Sequence, residues 1–257
     1  MPTVLHTASS YLRSILDRES VDSSAGSALR QLTPRIDKIV RAWAGKHLLD
    51  LQPTGGFEKG MANASGISID FLASISPDAT FTPREIYESL YHALERMGLK
   101  PKARNVSISI GLGEITVDIV PARRDNAHTE EHWLHSSLRG KAFVTDPGKH
   151  VLEAIKANRR DEVRVIKLWR DKNGLTFPSF YIELAVAAAL RGKGRDLADN
   201  VWTVFAYLEN HFVARSVLDP ANAHNVVSDD IDIREKARIR TVAKVTRAAR
   251  SWQDIIS

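Results

Sequence analysis

Gly55-Gly56-Phe57-Glu58-Lys59-Gly60-Met61, followed by Ile67-Ser68-Ile69-Asp70-Phe71 and later by Ile115-Thr116-Val117-Asp118-Ile119-Val120, is the part of the chain from which the fold is read. The two glycines come just after Pro53 and mark a turn. Residues 67–75 alternate as a strand carrying Asp70, closed by Pro77 and Asp78. Residues 106–110 and 115–120 flank Gly111-Leu112-Gly113-Glu114 as the arms of a hairpin that presents Asp118. Side chains two apart on a strand share a face, so positions 68 and 70 point the same way. An acid at both would give paired carboxylates on the first acidic strand, and this chain has Ser68.

Outward from this centre, the first fifty residues predict helices. Tyr11, Leu12, Ile15 and Leu16 fit one apolar stripe, and Leu29, Leu32, Ile36, Ile39, Val40 and Trp43 fit another, with Ser23, Ser24 and Gly26 between them. Thr82-Pro83-Arg84-Glu85 reads as a helix start, threonine as N-cap and proline at the first helical position, running to Gly98. Residues 133–136 and 142–145 suggest a second hairpin around Arg139-Gly140-Lys141. From Pro147 onward helices are expected at 147–158, 160–171, 178–191, 197–211 and 232–252. The fold expected is therefore α+β: a mixed-sheet lobe with amino-terminal helices over residues 1–125, and a mainly helical lobe over 126–257. A ligand cleft is expected between them.

Composition narrows the partners. The 257 residues carry a net charge of +5 and 43% hydrophobic side chains, which excludes disordered and collagen-like classes. No run approaches the roughly 18 apolar residues of a membrane span, and Met1-Pro2-Thr3-Val4 lacks a signal core, so a cytoplasmic protein without membrane contact is expected. Zero cysteines remove disulfides, thiolate zinc sites and cysteine nucleophiles together. Arg234, Lys236, Arg238, Arg240, Lys244, Arg247 and Arg250 concentrate positive charge near the carboxyl end. That run reads as a solvated helix face more readily than as an RNA or DNA site, because only Trp252 supplies an aromatic beside it.

Carboxylates on two separate strands suit metal-assisted transfer to phosphorus, in which carboxylates hold two Mg2+ (or Mn2+) ions roughly 3.5–4 Å apart. Asp70 would bridge both ions and Asp118 would complete the one that activates a hydroxyl. Gly55 and Gly56 would let backbone amides approach phosphate without a Cβ in the way.

These segments together resemble the nucleotidyltransferase superfamily branch that holds oligoadenylate synthetases, bacterial cyclic-oligonucleotide synthases (CD-NTases) and CCA-adding enzymes. Residues 55–61 resemble its Gly-Ser-x-x-Lys-Gly-Thr, with Gly56 in place of serine and Met61 in place of threonine. Ser68-Ile69-Asp70 resembles Asp-x-Asp with its first acid lost, and Asp118 matches the third acid. Val165-Ile166-Lys167-Leu168-Trp169 resembles the central helix whose lysine contacts nucleotide phosphate. Residues 177–184 resemble the Pro-Ser-aromatic segment, which implies Ser179 at the phosphate tail and Phe180 stacked on the base. Residues 218–226 resemble the Asp-Pro-x-x-Pro-x-Asn-Asn-Val signature. The resemblance spans about residues 50–235 and implies a nucleoside triphosphate as ligand, Mg2+ or Mn2+ as cofactor, and Gly55, Gly56, Lys59, Lys167, Ser179 and Phe180 as nucleotide-binding residues.

Ser68 offers a hydroxyl but no charge, which should weaken the second metal severely. It fits either a naturally degenerate site or a substitution that traps an uncatalysed complex, and the further losses at Gly56 and Met61 favour the former. Glu58, Asn63 and Glu114 are the candidates for compensation. If active, the chain would join a hydroxyl to an α-phosphate and release pyrophosphate. The alternatives are a non-catalytic nucleotide or RNA sensor acting through a partner protein, and an enzyme acting on RNA 3′ ends. His128, His132 and His135 are read as a polar loop rather than a metal cluster, and Trp133, Trp169, Trp202 and Phe205 as core.

Overall fold

The computed structural model describes residues 4–24 and 26–256, with side chains described from residue 8 onward. Two helices, α1 (Val4–Arg18) and α2 (Thr33–Ala44), precede the first strand, β1 (Leu48–Thr54). A single helical turn, α3 (Gly55–Glu58), leads to β2 (Ser68–Ile75), and α4 (Pro83–Arg96) follows. Thr82 is the N-cap that the sequence predicts, and with Glu85 it forms a reciprocal capping box. Strands β3 (Lys102–Ala103), β4 (Ile108–Leu112), β5 (Ile115–Arg124), β6 (His132–Ser136) and β7 (Lys141–Thr145) complete one seven-stranded sheet. Its order is β1-β2-β5-β4-β3, with β6 paired to the end of β5 and β7 paired to β6. The β2–β5 pair is parallel and the others are antiparallel, so the sheet is mixed.

Helices α5 (Pro147–Ala157), α6 (Arg160–Lys172), α7 (Ser179–Ala189) and α8 (Leu197–Asn210) follow, then a small hairpin of β8 (Leu218–Asp219) and β9 (Asn222–Val226). Helices α9 (Ile233–Arg247) and α10 (Trp252–Ile255) end the described chain. The expected single helix over 232–252 is thus two. The chain leaves the helical path at Ser251, which is extended, and this turns Trp252 onto Trp202 with ring centroids 5.8 Å apart. Tyr11 closes the corner by donating to the Ile256 carbonyl at 2.8 Å.

The sheet's two faces differ as strand alternation dictates. Ile69, Phe71, Ala73 and Ile75 of β2, with Val117 and Ile119 of β5, pack under Ile36 and Val40 of α2 and Ile86, Leu90 and Leu94 of α4. The opposite face carries Ser68, Asp70 and Leu72 on β2 and Asp118 and Val120 on β5. Only a small apolar cluster of Leu72, Ala122 and Leu134 covers it, leaving room for polar side chains nearby.

Packing does not respect the boundary expected at 125/126. The 132–145 hairpin belongs to the sheet, because its strand β6 pairs with β5. Helix α1 belongs with the helical lobe, since Leu12, Ile15 and Leu16 are buried with Trp169, Val201 and Phe205. The histidine triplet also differs from a loop. His132 and His135 are buried on β6, the former bonded to Ser74 Oγ at 2.8 Å and the latter edge-on to Tyr87, while His128 alone is exposed. Trp169 and Phe205 are core as expected, whereas Trp202 packs against that core partly buried and Trp133, half-buried on β6, donates to Asp125. Leu12→Ala should cost roughly 2–5 kcal/mol, the range for a large-to-small change in a packed core. Urea denaturation measures it, and a loss within 0.5 kcal/mol would contradict the placement of α1.

Candidate functional site

The site begins with register. β2 and β5 run parallel with Asp70 opposite Asp118 and Ser68 opposite Thr116. Two carboxylates therefore sit side by side on the sheet face opposite α2 and α4, with Ser68 one strand period away. Burial first, and the Asp118 charge second, push the Asp70 carboxyl up to about 7, while Lys167, Lys59 and the Gly56 N–H pull against that rise. Asp118 accepts a short hydrogen bond from Ser109 on β4, which itself receives Arg104 Nε at 3.0 Å.

Gly55 is required by two constraints at once. Its φ is +71°, and a Cβ added there would run into the Asp70 carboxylate. The Gly56 N–H hydrogen-bonds Asp70, so this amide, expected to face phosphate, instead holds an acid. A Cβ on Gly56 would lie 3.0 Å from Lys167 Nζ. Lys167 thus extends into the space beside the glycine and donates to the Met61 carbonyl at 3.0 Å. Burial, and next the neighbouring Arg170, lower the Lys167 pKa, against the pull of Glu183, Asp70 and Asp171.

Ser68, Asp70 and Asp118 share a polar chamber of about 200 Å3 with Gly56, Lys167 and Ser179. Ser179 opens α7 and accepts from Arg170 Nη1 at 3.0 Å. Arg170 is a cation that sequence reasoning missed; its spacing of three from Lys167 on α6 was the available signal. A second, more apolar chamber of about 320 Å3 also reaches Asp70 and Gly55, and is walled by Leu72, Val120, Phe143 and Phe180.

Lys59 is placed differently from a phosphate contact. Its ammonium is 7% exposed and bonds Glu183 at 2.7 Å, with the Phe180 ring 5.3 Å away. The Phe180 ring also meets His150, at 4.2 Å between ring centroids. His150 Nε2 bonds Asp219 at 2.7 Å, and Asp219 also receives Thr145 Oγ1 and Asn225 Nδ2. Burial works to raise the Asp219 pKa, but the bonds from His150, Asn225 and Ala221 outweigh it and leave the carboxyl below its ordinary range. Arg139 in the β6–β7 turn bonds Asn225, the Val226 carbonyl and Asp230, fastening the sheet to the carboxyl-terminal hairpin. The 218–226 segment is therefore fastened to the β6–β7 hairpin and to α5, and His150 and Arg139 are its partners that sequence did not single out.

None of the three candidates for replacing the missing acid does so. Glu58 pairs with Arg30 at 3.0 Å, Glu114 is exposed on the β4–β5 turn, and Asn63 is taken up by Arg164. Among the described residues no cluster of three His, Cys, Asp or Glu side chains suited to a metal ion occurs. The donor set of Asp70, Asp118 and the Ser68 hydroxyl is all oxygen, and the mutual repulsion that raises Asp70 is what a cation would relieve. These residues fit one hard divalent ion and do not supply the carboxylates for two.

No protein-family model matches the chain, and no curated protein sequence matches it. Solved structures do match in fold. CdnC of E. coli MS115-1, solved in a complex with HORMA-deltaN, aligns with a TM-score of 0.75 at 19% identity, covering 96% of each chain. The CD-NTase CdnG of Bradyrhizobium diazoefficiens, solved with GTP, aligns at 0.73 and 12% identity, covering 96% of this chain and 94% of that one. The CdnE cyclic dinucleotide synthase of Elizabethkingia meningoseptica aligns at 0.62 and 14% identity, covering 90% and 96%. The fold is that of the CD-NTases, as the sequence resemblance implied.

The Asp70 pKa has a directional consequence. Its folded value, about 7, lies above the ordinary 3.8, so the folded chain binds the extra proton between those limits and stability falls as pH rises through that window. Asp118→Asn should bring the Asp70 pKa down, though burial keeps it raised, and added Mg2+ should lower it in the unsubstituted protein. Carbon-detected NMR titration of the carboxyl reads both; a pKa unmoved by either would mean that the two acids do not share a site.

Proposed function

We propose that this chain binds a nucleoside triphosphate with a single divalent cation across the two chambers and transfers the nucleotidyl group to a hydroxyl, slowly for want of a third carboxylate. The observation that supports this most is the parallel register placing Asp70 beside Asp118 within reach of the chamber that holds Lys167 and Ser179. The similar fold of a CdnG solved with GTP and of a CdnC solved with ATP supports a triphosphate ligand. A CdnE described as a cyclic dinucleotide synthase supports an oligonucleotide product of that kind.

Asp70 and Asp118 would hold the ion, with the Ser68 hydroxyl as a neutral neighbour. When bound, it supplies charge neutralisation at phosphate and a lowered pKa for an attacking hydroxyl. The chain's own groups do the rest. Lys167 and Arg170 present positive charge to phosphate oxygens, and Ser179, held by Arg170, offers its hydroxyl to the same chamber. Phe180, in contact with Lys59 and His150, lines the apolar chamber and offers aromatic surface to a base there. The buried Lys59–Glu183 pair keeps that ring in place and is not spent on the ligand.

Ser68 also supports a second reading, a non-catalytic nucleotide sensor that acts through a partner protein, and turnover separates the two. Labelled ATP and GTP incubated with Mg2+ or Mn2+ should give slow formation of linear or cyclic product with pyrophosphate release. Binding without any product favours the sensor, and no binding at millimolar triphosphate removes both. Lys167→Ala should weaken triphosphate binding by about 1.5–3 kcal/mol, the scale of a charged hydrogen bond, and Ser179→Ala by about 1. Calorimetry with triphosphate and with bare nucleoside checks this, since equal losses for both would contradict a phosphate contact.

Ser68→Asp should raise Mg2+ affinity and product formation together, because positions 68 and 70 lie on one strand face. Asp70→Asn or Asp118→Asn in that background should abolish the gain. A restored variant that binds no more Mg2+ would show that Ser68 does not stand at the missing ligand position.

A further inference from the structure

A groove of about 570 Å3 separates α5 from α7 in the helical lobe and is closed at one side by residues 215–220. Its volume is in the range of small-molecule sites, and nothing in the chemistry above uses it. Ala154, Leu184, Ala187, Ala188 and Leu190 give it an apolar floor. Its charges are uneven once pairing is counted. Glu153 bonds Lys156 at 2.8 Å, Glu183 bonds Lys59 at 2.7 Å, and Arg159 bonds Glu162 at 3.1 Å. Every carboxylate on the wall is therefore matched, while Arg191 and Arg215, both exposed, have no carboxylate partner among the described residues.

Tyr207 adds ring surface to the wall at 6% exposure; its hydroxyl is buried near that of Tyr181 and is not a ligand contact. Two unpaired guanidiniums favour an oxyanion, which they can grip bidentately, and the alanine-rich floor favours a flat apolar body with no large side chain in its way. His150 and Phe180 line both this groove and the apolar chamber.

We infer that the α5–α7 groove is a second ligand site, separate from the cleft, for a small molecule joining a phosphate or carboxylate to a planar apolar body. The anion would lie on Arg191 and Arg215 and the body along α7. This stands independently of the function proposed for the cleft.

The test uses 1-naphthyl phosphate and 1-naphthoate, which share a body and differ in the anion, titrated against the whole protein by their own fluorescence. At least one should bind with one-to-one stoichiometry, and its relative affinity identifies which oxyanion the site prefers. The double substitution Arg191→Gln, Arg215→Gln should weaken it tenfold or more, and Lys167→Ala should leave it unchanged. Near-ultraviolet circular dichroism confirms that the double variant keeps its packing, as expected for two exposed positions. Binding of neither probe at millimolar concentration, binding indifferent to both arginine substitutions, or binding lost in Lys167→Ala would overturn the inference. Uncharged 1-naphthalenemethanol binding as tightly as either anion would overturn it as well. Because the readout is the probe and not the triphosphate, a failed nucleotide reading leaves these results interpretable, and the converse holds.

Discussion

Two like charges held side by side organise this molecule. The parallel pairing of β2 with β5 leaves Asp70 and Asp118 adjacent, an arrangement that opposes folding unless something offsets it. The surroundings do so in three ways. Lys167 and Lys59 bring positive charge, the Gly56 N–H bonds Asp70, and Asp70 relieves the remaining repulsion by holding its proton up to about 7. Each of these demands further structure. Gly55 must lack a side chain so that Asp70 fits, α6 must cross close enough to deliver Lys167, and Lys59 must be buried with its own counter-charge, Glu183, supplied by α7.

The two lobes are therefore joined by charge as much as by apolar contact. Lys59 with Glu183 and Asn63 with Arg164 tie the turn after β1 to the helices, while Arg139 with Asp230 and Thr145 with Asp219 tie the second hairpin to the carboxyl-terminal one. Between these fastenings lie the two chambers. Their chemistry is divided, cations and carboxylates on one side and apolar walls on the other, and Phe180 stands where the helical wall meets both the cleft and the groove behind it.

Local pattern made the sheet and its acids legible. A strand with one buried face alternates, and an aspartate among β-branched residues on that alternation is conspicuous, so the shared face of Ser68, Asp70 and Asp118 is legible in the sequence. The Thr82-Pro83 helix start and the 132–145 hairpin were legible for similar reasons, being set by capping and turn chemistry within a few residues. What stayed hidden depends on distant partners. The role of Lys59 is set by a glutamate 124 positions later, that of His150 by an aspartate 69 positions later, and the break after α9 by the docking of Trp252 on Trp202. Whether the 132–145 hairpin sat with the sheet or with the helices could not be told from its own sequence, because a strand's pairing partner is not written in the strand.

Helix α1 carries a consequence in time. Ser9 bonds the Asp196 carboxylate and the Ala198 amide, near the start of α8, 187 and 189 positions further along the chain. During synthesis at roughly 5–20 residues per second, α1 leaves the ribosome some ten seconds or more before its partners exist. Over that interval its Leu12, Ile15 and Leu16 face has nothing of its own lobe to pack against, while the sheet and α4 between them can already assemble. A helix made well ahead of its partners is thus seated late. The helical lobe behaves during biogenesis like a complex of two fragments that happen to share one chain, and its yield depends on how well a nascent apolar helix is sheltered while it waits.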